Sequence, residues 1–201
     1  MLKKFVSRRS LVIAIATGLG LVTPQLSIAQ TTVAKTSTEL PIVESAGLEP
    51  DLNVPWSELV SVNDPFEGNF LAVFDRNDLQ DERSRKVISL WSRNSIRVLL
   101  STNQRVCSGS SDYFFYNWRK WGGTCFNSTT AMTVRQLYVK VGDRIVLLTG
   151  ENGNFPVNQE LVTALKNAPD GNANIRLVLE GGETVDSEIG QETVKVWREI
   201  Y

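Results

Sequence analysis

The stretch MTVRQLYVKVGDRIVLL, residues 132–148, places two runs rich in β-branched and aliphatic residues on either side of Gly142-Asp143. Residues 132–139 and 144–148 read as strands, and a Gly-Asp pair between them suits the tight turn of an antiparallel hairpin. The same signature recurs at NIRLVLE (174–180) and residues 183–187, which flank Gly181-Gly182. Working towards the N-terminus, NFLAVF (69–74), KVISLW (86–91) and SIRVLL (95–100) are three further short apolar runs of strand character. The charged stretch DRNDLQDERSRK (75–86) is expected as a surface loop or one to two exposed helical turns.

Two helices complete the pattern. Asn158 suits the N-cap of NQELVTALKNAP, with Glu160 in the first turn, Lys166 in the last, Pro169 as the stop and Leu161, Val162, Leu165 and Ala168 as the buried stripe. QETVKVWREIY (191–201) fits a helix through Val194, Trp197 and Tyr201, although Val194-Lys195-Val196 also alternates as a strand would. Because strict βαβ alternation is missing, the expected fold class is α+β. It is a small, mostly antiparallel sheet or partly open barrel, with one or two helices packed on it and one disulfide.

Residues 1–29 read as a cleaved export signal. Lys3, Lys4, Arg8 and Arg9 precede the uncharged run LVIAIATGLGLV (11–22), and Ser27 and Ala29 stand at the small-residue positions of a cleavage site. Twelve residues rise only about 18 Å as a helix, short of a hydrocarbon core about 30 Å thick. SRRSLV (7–12) matches a twin-arginine signal in part, the general secretory route being the alternative. The expected location is the periplasm, the thylakoid lumen or the extracellular space. Residues 30–55, with threonines, three prolines and no aromatic, are expected as a flexible leader, and residues 56–201 as a single folded domain.

Removing the signal leaves 17 Lys+Arg against 22 Asp+Glu, an acidic balance that disfavours nucleic acid as a partner. The chain has no histidine, which excludes imidazole-assisted serine or cysteine nucleophiles and histidine-held haem. Two cysteines alone cannot close a tetrahedral zinc site. The sequence therefore implies no cofactor and no metal. DGNAN (170–174) fails as an EF-hand loop, since Ile175 and Gly181 stand where Gly and Glu are needed. LTGENGNFP (148–156) lacks a phosphate-binding glycine pattern and is expected as an exposed loop.

The two cysteines, Cys107 and Cys125, are expected to form one disulfide, as exported chains favour. They frame CSGSSDYFFYNWRKWGGTC, which holds six aromatics between Tyr113 and Trp121. The segment has two structural readings: a helix with Phe114, Trp118 and Trp121 on one face, or a strand with aromatics on both faces. It also has two roles open to it. The rings belong to the core, or Tyr113, Tyr116, Asn117, Trp118, Arg119, Lys120 and Trp121 bind a protein partner or an envelope glycan. The leading functional expectation is a non-enzymatic exported binding or accessory domain. Its rival is a carboxylate-only hydrolase of glycoside-hydrolase type, drawing on Asp75, Asp78, Asp81 and Glu82 or on Glu180, Glu183, Asp186 and Glu188. A thiol-exchange role for the cysteines is the third reading.

Overall fold

The computed structural model describes residues 39–108 and 124–201. Its strands are Ile42–Val43 (β1), Leu59–Asp64 (β2), Gly68–Asp78 (β3), Arg85–Ser92 (β4), Ser95–Ser108 (β5), Thr124–Met132 (β6), Val134–Val141 (β7), Arg144–Thr149 (β8), Asn154–Pro156 (β9), Ala173–Leu179 (β10) and Thr184–Ile189 (β11). The helices are Gln159–Lys166 (α1) and Gln191–Ile200 (α2). Strands β1 to β6 lie in that order in one sheet, which β9 joins by pairing with β5; β11-β10-β7-β8 form a second. Every pairing between these strands is antiparallel except β1 with β2. The expected mostly β architecture with two helices and one disulfide is present, as two open sheets that do not close into a barrel.

Turn chemistry sets both hairpins of the second sheet. Val141 pairs with Arg144, leaving Gly142 at the first turn position with φ +58°, a conformation that glycine adopts without strain. At β10–β11 the positive φ falls on Gly182, and the backbone N–H of Leu179 donates to the Glu183 carbonyl at 2.8 Å. Asn158 caps α1 by accepting from the N–H of Leu161 at 2.8 Å. The face of α1 that reaches the core is Leu161, Ala164 and Leu165, followed by Ala168; Val162 of the expected stripe is half-buried. The ambiguous C-terminal segment is a helix, burying Val194, Trp197 and Ile200.

The main core unites both sheets and both helices. β3, β4 and β5 contribute Val73, Trp91 and Leu100, the second sheet contributes Leu137 and Leu177, and Phe155 and Leu165 complete the packing. Trp91 and Trp197 meet at its centre with ring centroids 4.6 Å apart. On the opposite face of the first sheet Ala72, Phe74 and Leu90 form a smaller cluster, covered by Val43, Leu48, Leu52, Val54 and Trp56. Residues 39–55, expected as leader, therefore pack here: Ala46 is fully buried and its N–H donates to Asp64 Oδ2 at 2.9 Å. Their apolar residues follow no period because, beyond the two-residue strand β1, they cross the sheet as irregular backbone.

Two expected loops are corrected. Half of the charged stretch 75–86 is strand: β3 continues to Asp78 and β4 begins at Arg85, leaving a turn in which Asp81 Oδ1 accepts from the N–H groups of Arg83 and Arg85. Pleat alternation lets Arg76 and Asp78 stay in water while Asp75 goes inward. The 148–156 stretch is not an exposed loop. β9 pairs with the start of β5, Phe155 is fully buried, and the Gly153 carbonyl accepts from the Val98 N–H at 2.8 Å. Gly153 has φ +75°, and a Cβ placed there would lie 2.2 Å from the Val98 carbonyl oxygen. Gly153→Ala is expected to destabilise by about 1–2 kcal/mol from its backbone conformation alone, with the clash adding to it; urea unfolding measures the sum.

Candidate binding site: a disulfide-closed hairpin arm

The apolar run SIRVLL ends at Leu100, but the strand continues for eight more residues. β5 and β6 pair from Leu100↔Met132 to Ser108↔Thr124 without a register shift. Leu100, Ser101 and Thr102 are buried; from Asn103 to Cys107, and along β6 from Thr124 to Ala131, all are exposed except half-buried Ser128. At a rise of about 3.4 Å per residue, the exposed part of β5 extends the hairpin about 17 Å past Thr102. Among the described residues, β6 has β5 as its only strand partner. The pair is thus a projecting arm rooted in the core by Leu100 and Met132.

The arm's two faces differ. Side chains that share the inward face of Leu100 include Val106 and Phe126, directly opposite one another and 41% and 54% exposed. The other face carries Arg105, Asn127 and the disulfide. Cys107 and Cys125 are register partners with Cα atoms 3.9 Å apart, so the expected bond forms across the ladder near its open end. Tyr113, Tyr116, Asn117, Trp118, Arg119, Lys120 and Trp121 lie outside the described residues. Their chain, however, leaves β5 and re-enters β6 immediately beyond the disulfide, at the exposed end of the arm. Val106 and Phe126 escaped the sequence reading; their signal is the alternation of apolar with polar residues in RVCS and TCFNST.

Most of the carboxylates proposed for hydrolysis are held in ion pairs. Glu180 pairs with Arg135, Glu183 with Arg83 and Arg85, Asp186 with Arg176, and Asp81 with Arg85. Glu188 accepts from Asn172 at 3.1 Å. Asp78, Asp81 and Glu82 line an open groove of about 660 Å³ together with Arg85 and Lys86. Among the described residues no group of three His, Cys, Asp or Glu side chains is arranged to hold a metal ion. The guanidiniums beside Asp81 and Asp186 hold those carboxyls below the usual range.

Asp75 alone among the proposed carboxylates goes the other way: burial pushes its carboxyl up, against hydrogen bonds that act to lower it. Its Oδ2 accepts from Thr193 Oγ1 at 2.6 Å and from the Gly190 N–H at 3.2 Å. Gly190 is the N-cap of α2 and has no side chain to cap with, so a strand carboxylate supplies the cap instead. Asp75 is therefore a structural acid. With its native value above the unfolded one, stability from this group is greatest below the unfolded value and is lost as pH rises through the native value. Asp75→Asn, a mimic of the protonated acid, should be more stable than the wild type at neutral pH. The difference should shrink on acidification; denaturation midpoints across the acid-to-neutral range test it, and a difference independent of pH contradicts it.

No helix among the described residues is long and apolar enough to cross a membrane. No family model, curated protein or solved structure matches this chain.

Proposed function

We propose that the protein is an exported binding or accessory domain that presents the 113–121 segment to a protein partner or an envelope glycan from the end of the β5–β6 arm. The observation that carries this reading is the arm itself: a hairpin of exposed residues, closed by Cys107–Cys125, where the aromatic and basic segment leaves and returns. Projecting a hairpin past the core exposes Val106 and Phe126 to water at a cost, which contact with a partner offsets. The largest rings of the two apolar clusters among the described residues are Trp91, Trp197, Phe74 and Phe155. Aromatic rings with Arg119 and Asn117 among them suit stacking on sugar faces or packing at a protein interface. The export signal and the disulfide support a location outside the cytoplasm.

The test is retention. The full chain and a Trp118→Ala/Arg119→Ala/Trp121→Ala variant are compared for co-sedimentation with insoluble cell-wall glycan and for cross-linking to envelope proteins. The reading expects retention by the wild type in one of the two assays, and its loss in the variant with thermal unfolding unchanged. Equal behaviour of the two chains in both assays overturns it.

A further inference from the structure

We infer that the outer edge of β6 from Cys125 to Ala131 is a self-association surface, on which a second copy of this chain adds its own β6 antiparallel to form one continuous sheet. The narrow 3.9 Å Cα separation at Cys107–Cys125 marks a pair without mutual backbone hydrogen bonds. By the alternation of an antiparallel ladder, Cys125, Asn127, Thr129 and Ala131 then turn their N–H and C=O groups away from β5. Among the described residues these outward groups meet no backbone partner. The edge is a row of alternating donors and acceptors, and the chemistry that satisfies such a row is another extended strand.

Among the described residues the outer strands β1, β11 and β8 are guarded. β1 is two residues long and follows Pro41. β11 carries Asp186 and Glu188, and β8 has β9 and α1 alongside. Among the described residues β6 has none of these devices: TCFNSTTAM is nine residues, without charge, without proline and without a bulge.

Self-pairing fits this strand in detail. A two-fold axis through Ser128 places Asn127 opposite Thr129 of the second copy and Cys125 opposite Ala131, so outward-turned residues meet outward-turned residues as hydrogen-bonding pairs. Residues 125–131 are then paired, and no charged side chain stands on either strand at the seam. The nearest like charges from the arms, the two Arg105 side chains, are set about 16 Å apart by strand spacings of about 4.8 Å and rises of about 3.4 Å. That exceeds the screening length of about 8 Å at physiological salt. The same register sets Phe126 beside Thr130 of the second copy, a cross-strand pairing of aromatic with β-branched residue on one face. Because the contact is isologous, it closes at two chains.

The experiment is sedimentation equilibrium over a concentration series of the exported chain with its disulfide formed. Asn127→Pro is compared with the wild type, because that position donates outward and its loss leaves the β5–β6 ladder intact. Thr129→Lys is the second variant, adding a charge to the edge with every backbone group retained. The wild type is expected to approach the mass of two chains as concentration rises, with both variants staying at one chain and melting as cooperatively as the wild type. A wild type that remains one chain at every concentration overturns the inference. So does a Thr129→Lys protein that dimerises as the wild type does, or growth beyond two chains. None of these outcomes bears on retention by the 113–121 segment, so the two readings fail separately.

Discussion

Trp197→Ala is expected to lower the free energy of unfolding by about 3–5 kcal/mol, a large share of what a domain of this size has. Trp197 is fully buried, and its ring meets Trp91 at 4.6 Å where α2 lies against the first sheet. Truncation removes that contact and opens a cavity bounded by strands that cannot close on it. Trp197 Nε1 has no hydrogen-bond partner among the described residues, whereas Trp91 Nε1 donates to Ser89 Oγ at 2.8 Å. Trp197→Phe should therefore cost much less than Trp197→Ala, because it removes an unsatisfied donor along with part of the ring. Guanidinium unfolding of the three chains checks this. Equal losses in the two variants would show that ring volume is not what the site requires.

Opening the disulfide should have the second largest effect, in two distinguishable parts. Cys107→Ser/Cys125→Ser releases a loop spanning 18 residues, worth about 3 kcal/mol of global stability in the chain-entropy model. Locally, residues 103–107 and 124–131 of the arm include no buried apolar residue to hold it, so its ladder should fray when the bond is absent. Amide exchange should quicken sharply between residues 103 and 107, while residues 96–100, buried or half-buried and paired to β4, retain their relative protection. Uniform loss of protection along β5 would mean that the arm and the core are one cooperative unit. Retention of partner should fall with the arm, since the segment's two anchor points would separate.

Much of the fold was legible because local chemistry and tertiary packing agree. Gly142, Gly182 and Asn158 each meet a requirement of the backbone at a turn or cap, and the helices and hairpins appear where those residues place them. Misreadings arose where a residue serves a distant element. Asp75 lies in a charged run, yet it enters the core to cap a helix 115 positions away. Gly153 looks like loop flexibility but is required by close approach to Val98. The outer half of β5 and β6 are mostly polar, with Val106 and Phe126 as isolated apolar residues among them, so the alternation that marks the arm is weak beside that of the core strands. The cysteines did mark it: their pairing was expected, although the extended hairpin that joins them was not.

The arm's role turns on whether its aromatic rings meet water. Trp91 and Trp197 are fully buried, so Trp56→Phe leaves a chain in which any indole open to acrylamide must be Trp118 or Trp121. Its quenching is compared with that of Trp56→Phe/Trp118→Phe/Trp121→Phe, which keeps only the two core indoles. A strongly quenched component in the first chain that vanishes in the second is the predicted result, and it places the rings on the surface that the hairpin presents. Equal, weak quenching in both folded chains would contradict it: the rings would be packing residues, and the binding surface would have to lie elsewhere.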